Sequence, residues 1–183
     1  AQDTPIEKAP LQVAVQVLKR HRDVYFEGRD DAPISILLTT LAGQAYQGQG
    51  DILSTMEHLV ATMSSHIEYE GEVAYVRNPT NRDENFAEKW QTHPDRKRAY
   101  YEWNEQAKQD IEDLKSTTLP KLEAVLKRFV GSKQATGVLR AHGESMERAR
   151  RDSLRIDPAT GILGATSAAS IPVKKNTFFG DGQ

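Results

Sequence analysis

The sequence predicts a mostly α-helical protein: a single bundle of about six or seven helices with one small extended or hairpin element near residues 67–77. Three observations carry that prediction. Apolar residues recur at helical spacing through most of the chain up to residue 130. A proline or a short polar residue stands at the start of most of those runs, where a helix tolerates or needs one. Strict alternation is confined to the stretch IEYEGEVAYVR at 67–77, whose mid-run glycine suits a hairpin turn or an extended loop.

Residues 1–9 are polar and aperiodic and read as a linker. Pro10 opens the first helix, which runs over 10–26 with Leu11, Ala14, Val15, Leu18, Tyr25 and Phe26 as its apolar positions and ends at Gly28. Pro33 is expected to open a second helix. Its Ile34, Leu37, Leu38, Leu41, Ala42 and Ala45 make it apolar nearly all round, so it should be the buried centre. Asp51 is an N-cap for a third helix with the stripe Ile52, Met56, Leu59, Val60 and Met63.

After the alternating stretch, NPT at 78–80 is a turn. Asn81 followed by Glu84 resembles a capping box and predicts a short helix through Trp90. Pro94 begins a long charged helix over 95–116, followed by helices over roughly 119–130 and 133–152. Gly131 is the stop between the last two, and Ser132 the cap of the second. From Asp157 the composition turns to Gly, Ala, Ser and Thr, until IPVKKNTFFG at 171–180 supplies aromatics that can dock. The domain reading is therefore a linker at 1–9, a helical domain at 10–156 and a tail at 157–183.

Composition narrows the function. The 183 residues suit one domain, or one with a tail. Lys plus Arg number 24 and Asp plus Glu 26, a net charge of −2 that argues against a surface given over to nucleic acid or anionic lipid. Any anion site must be local. The chain has no cysteine, which removes disulfides, thiol catalysis and zinc sites built on thiolate. No apolar run has the length of a membrane span and no signal peptide opens the chain, so a cytoplasmic location with no membrane partner is the expectation. The start at Ala1 rather than Met is read as a cut or processed end with something missing upstream.

Candidate chemistry lies first in KRHRD at 19–23. Lys19 and Arg22 share a helix face and can offer cations to phosphate, or form an ordinary solvated face; Lys19 and Asp23 are spaced to pair. Ser35 follows Pro33 in a first helical turn, where a hydroxyl and free N–H groups make an anion site or merely a cap. If the first two helices are neighbours across a short loop, Lys19 and Ser35 converge on one phosphate group.

Glu68, Glu70 and Glu72 would share a strand face, as a metal cluster or as charges guarding an exposed edge. Gly131-Ser132 looks like a nucleotidyltransferase Gly-Ser, but no carboxylate pair follows it, and a helix stop and cap explain it better. The five histidines form no metal or catalytic spacing. Trp90, Tyr100, Tyr101 and Trp103 read as core.

The strings LQVAVQVLKRHRDVYF, PISILLTTLAGQAY and VRNPTNRDENFAEKW, in that order, resemble the C-terminal helical half of bacterial cyclic-oligonucleotide synthases. These are CD-NTase-like relatives of cyclic GMP-AMP synthase and oligoadenylate synthase that work in CBASS anti-phage defence. The terminal KKNTFFG is similar to the aromatic end of many members.

The resemblance covers most of residues 10–130. It implies a two-lobed, magnesium-dependent nucleotidyltransferase that joins ATP or other nucleoside triphosphates into a cyclic messenger. Lys19 and Ser35 match the residues that contact the donor triphosphate, with Arg22 as a second cation. Asn78, Pro79 and Asn85 match a loop beside the cleft, shaping it before doing chemistry.

The N-terminal polymerase-β-like lobe, with its Gly-Ser and acidic magnesium triad, is absent from this chain. The expectation is therefore a chain that can hold a triphosphate but cannot drive transfer, whose partners are nucleoside triphosphates, the missing lobe and in some members a regulatory protein. A helical protein-interaction module without nucleotide chemistry is the rival reading. Sequence-specific nucleic-acid binding lacks any reader motif.

Overall fold

The computed structural model describes residues 9–153 together with 155–156, 163–164 and 171–172. Pro10 occupies the first turn of α1 (Pro10–Tyr25), where its missing N–H costs nothing. Asp51 caps α3 (Ile52–Thr62), its carboxylate accepting from the Ser54 backbone N–H at 2.9 Å. Between them lies α2 (Ser35–Ala45), with Leu37, Leu38, Thr40, Leu41, Ala42 and Ala45 buried, as expected of a central helix. A hairpin of β1 (Glu68–Glu70) and β2 (Val73–Tyr75) turns at Gly71, whose φ of 63° only glycine adopts freely. A second antiparallel pair, β3 (Arg77–Asn78) and β4 (Asn81–Asn85), follows. Then come α4 (Pro94–Ser116), α5 (Leu119–Val130) and α6 (Ser132–Ser153), making six α-helices among the described residues.

The chain divides into two compact units, Ala1–Ala135 and Thr136–Gln183. In the first, α1 packs on α2, α3, α4 and α5, and α3 packs on α4. Their shared core includes Leu18, Leu37, Leu41, Leu59, Met63, Tyr100, Trp103, Ile111 and Phe129. In the second, β5 (Arg155–Ile156) pairs antiparallel with both β6 (Leu163–Gly164) and β7 (Ile171–Pro172). The terminal aromatics of the expected docking tail lie outside the described residues, as does the linker at 1–8. No helix among the described residues is long and apolar enough to cross a membrane.

Three local expectations are corrected. Pro33 does not open α2; the helix begins at Ser35, because the Pro33 carbonyl is taken by the Arg22 guanidinium and the first helical bond closes on Ile34. Nor is α2 covered all round, since Ile34 is 45% and Ile36 47% exposed at its entry.

The short helix expected from Asn81 is instead a strand, and only Glu88–Trp90 forms a single 3-10 turn. The capping box fails because Glu84 accepts from Asn78 Nδ2. Asn85 meanwhile ties the segment across the ladder: its Oδ1 accepts from the N–H of Val76 and Ala87, and its Nδ2 donates to the Ala74 carbonyl. Long-range pairing outweighs the local signal.

Finally, Ser132 lies inside α6 rather than capping it. Gly131, at φ 84°, both ends α5 and supplies the carbonyl that accepts from the Ala135 N–H.

Candidate functional site

The last two turns of α1 carry Lys19, Arg20, His21, Arg22 and Asp23, and helical geometry sends them in different directions. Arg22 reaches the start of α2. Its Nη1 donates to Ser35 Oγ and to the Pro33 carbonyl, both at 2.9 Å, and its Nε donates to Asp23 Oδ1 at 2.9 Å. No side chain caps α2, so the N–H groups of its first turn have no partner within the helix. That terminus is electropositive and open to an acceptor.

Lys19 stands one turn before Arg22, half-buried, with no hydrogen bond or ion pair among the described residues. The pairing of Lys19 with Asp23 that the spacing allowed does not form; Asp23 pairs with Arg22. The residues expected to converge were Lys19 and Ser35; it is Arg22 that touches Ser35, and Lys19, on the same side of α1, makes no hydrogen bond to either among the described residues. An anion arriving here would compete with the Asp23 carboxylate for Arg22 and find Lys19 free.

The β3–β4 segment borders this entry. Ile34, Ile36, Glu84, Asn85, Phe86 and Lys89 line a cavity of about 380 Å³. Asn85 is thus both the clasp of the ladder and a wall of the cavity beside α2. Asn78 acts on its own turn, its Oδ1 accepting from the Thr80 N–H at 3.0 Å. Pro79 completes that turn. These residues shape backbone, as their positions in a turn demand.

Directly behind the site lies a network that no sequence pattern announced. His21 is 1% exposed and packs on the Phe129 ring with centroids 4.7 Å apart. Trp103 Nε1, which can only donate, gives its hydrogen to His21 Nδ1 at 2.9 Å. His21 therefore carries its hydrogen on Nε2 and donates to Asp110 Oδ2 at 2.9 Å.

Asp110 also accepts from Gln106 at 3.1 Å and from Arg128 at 2.7 Å. Burial pushes the Asp110 carboxyl up, but the contacts from His21, Arg128 and Gln106 outweigh it and hold the group below the usual carboxylate range. The network joins α1 to α4 and α5. The only available signal was His21 among apolar neighbours, which is common in cores.

Several other titratable groups have structural partners. Glu68 and Glu70 both pair with Arg77, which removes the metal-cluster reading of that strand. Nucleotidyl transfer generally uses divalent metal ions. Among the described residues no group of three or more His, Asp or Glu side chains could hold one, so the residues present do not fit that role. His58 bonds the Ala45 carbonyl and His93 bonds Thr92. Tyr100, pushed up to about 12 by burial, is no acid near neutrality.

No family model matches the chain. A c-di-GMP synthase of Roseivirga ehrenbergii is 34% identical over 180 residues, which is 96% of this chain and 48% of that protein. The solved structure of the Bradyrhizobium diazoefficiens CD-NTase CdnG in complex with GTP superposes with a TM-score of 0.62 at 20% identity, over 75% of this chain and 41% of that one. The second likeness establishes a shared fold. The chain is thus similar in sequence to a c-di-GMP synthase and in fold to a CD-NTase, and it spans about half the length of the curated relative it matches.

Proposed function

We propose that this chain is the C-terminal helical half of a cyclic di- or oligonucleotide synthase, and that it holds the donor nucleoside triphosphate through Lys19, Arg22 and Ser35. The observation that carries the reading is the meeting of Arg22 with Ser35 at the uncapped start of α2, one turn from an ammonium that has no partner among the described residues.

In the reaction proposed, a ribose hydroxyl attacks the α-phosphate and pyrophosphate leaves. Lys19 and Arg22 offset charge on the β- and γ-phosphates as it develops, and Ser35 with the first-turn N–H groups of α2 fixes their position. Magnesium, and the carboxylates that hold it, belong in this reading to a catalytic lobe outside the chain. Asn78, Pro79 and Asn85 shape the loop beside the cleft. A role in CBASS defence, ATP among the substrates and a regulatory partner protein complete the proposal.

The purified chain should accordingly bind GTP yet release no pyrophosphate from GTP, ATP, CTP or UTP with magnesium. Ser35→Ala should weaken GTP binding by about tenfold, the worth of one charge-assisted hydrogen bond at the low end of its range. Pyrophosphate release by the chain alone would overturn the assignment of chemistry to another lobe, and GTP affinity indifferent to Ser35 would overturn the site.

A helical interaction module is the second reading. Val138 and Met146, exposed on α6, favour it for that helix. Absence of triphosphate binding would leave it standing.

A further inference from the structure

Trp90 is a largely buried indole whose N–H remains accessible. It is only 7% exposed and packs on Tyr100 with ring centroids 5.4 Å apart, yet its N–H has no acceptor among the described residues. Among the described side chains only Asn104 Oδ1 is buried without a partner, so the Trp90 N–H is not closed off in the core and is open to solvent or a ligand. Beside it opens a cavity of about 670 Å³, a volume in the range of small-molecule sites, whose walls include Tyr69, Glu72, Val73, Trp90, Gln91 and Lys97. It shares no lining residue with Lys19, Arg22 or Ser35, although Trp90 also borders a small cavity with Pro33 and Ile34 at the entry to α2.

The wall chemistry is specific. Lys97 is half-buried, sits 4.7 Å over the Tyr69 ring, and makes no ion pair among the described residues. Glu72, held at the hairpin turn next to Gly71, likewise makes none. Tyr69 is 47% exposed while its hydroxyl is tied to Tyr101 at 2.8 Å, so its ring is presented and its polar end is already satisfied.

The cavity therefore offers aromatic surface, two donors without acceptors (an indole N–H and an ammonium) and a carboxylate without a donor. The complement is a flat heteroaromatic ring with one donor edge, one acceptor edge and an anionic substituent.

We propose that this cavity is a second nucleotide site, built for a guanine nucleotide. The N1–H and N2–H edge of guanine faces the Glu72 carboxylate, O6 or N7 accepts from the Trp90 indole, and the phosphate meets Lys97. Adenine lacks the paired donor edge, so Glu72 sets the preference. The site does not depend on the triphosphate assignment at Lys19, and its occupant binds without reacting.

The test uses the two tryptophans as reporters. In a nitrogen–proton correlation spectrum each gives one indole signal, with that of Trp90 identified by its loss in Trp90→Phe. Titration with GMP should move the Trp90 signal saturably and leave that of Trp103, which is bonded to His21, in place. AMP should bind about tenfold more weakly, ribose 5-phosphate should move neither signal, and Lys97→Met and Glu72→Gln should each weaken GMP by about fivefold.

Arg22→Ala should leave the GMP titration unchanged. Four results would each overturn the proposal: a still Trp90 signal; ribose 5-phosphate acting as GMP does; Glu72→Gln without effect; or loss of the GMP response in Arg22→Ala, which would move the binding to the α2 terminus.

Discussion

His21 and Arg22 are consecutive residues of α1 with opposite surroundings. His21 is enclosed, and both of its ring nitrogens are bonded within the core, to Trp103 and to Asp110. Arg22 looks outward to the start of α2, with its neighbour on the same face, Lys19, left uncommitted. The difference separates two tasks that one helix performs. The inner face fixes α1 against α4 and α5, while on the outer face Arg22 is engaged by Asp23, the Pro33 carbonyl and Ser35, and in the proposed reading Lys19 is the cation kept for a ligand. A group already satisfied in the fold has little left to offer a ligand, whereas a half-buried ammonium without a partner has been held in place and kept available.

The largest effect should come from breaking the inner face. Asp110→Ala leaves the His21 Nε2–H, the Gln106 amide and the Arg128 guanidinium without their acceptor, and should cost about 3 kcal/mol in urea unfolding. The same carboxyl sharpens the comparison through pH. Its value in the folded chain lies below the ordinary range, so folding favours the deprotonated form. The stability it contributes is present above the ordinary carboxylate range and is lost as pH falls through that range toward the lower folded value, that is, below about pH 5. Thermal midpoints over that interval should fall less steeply in Asp110→Asn than in the parent.

Asn85→Ala comes next. It removes three hydrogen bonds to backbone between β2, β4 and the following turn, and should cost about 2 kcal/mol. Gly131→Ala should cost about 1–2 kcal/mol, through a positive φ and a methyl placed 2.7 Å from Arg20 Nη2. That guanidinium bonds the Val130 carbonyl through its Nε and must shift to make room.

What the sequence made legible follows the range of the interactions. The helices at 10–26, 95–116 and 119–130 were readable because periodicity, Pro10, Pro94 and Gly131 act within a few residues. The hairpin at 67–77 was readable from alternation and Gly71. The strand at 81–85 was not, because its partners lie up to eleven residues away through the Asn85 side chain, while the competing Asn81–Glu84 signal is local. Supposing that α1 and α2 are neighbours pointed to Lys19 with Ser35, whereas the contact that forms is Arg22 with Ser35, because which side chain reaches the helix start depends on packing. The Trp103–His21–Asp110 network, whose partners stand 82 and 89 positions apart, leaves no mark on any window of sequence.

The smallest effect on stability and the most direct test belong to the outer face. Lys19→Ala should be measured for urea midpoint and for GTP affinity on the same preparation. An unchanged midpoint with GTP binding about tenfold weaker is the predicted result, since the ammonium serves the ligand and not the fold. Unchanged GTP affinity, or a loss of stability as large as that expected for the inner face, would contradict the division of α1 into a face that holds and a face that binds.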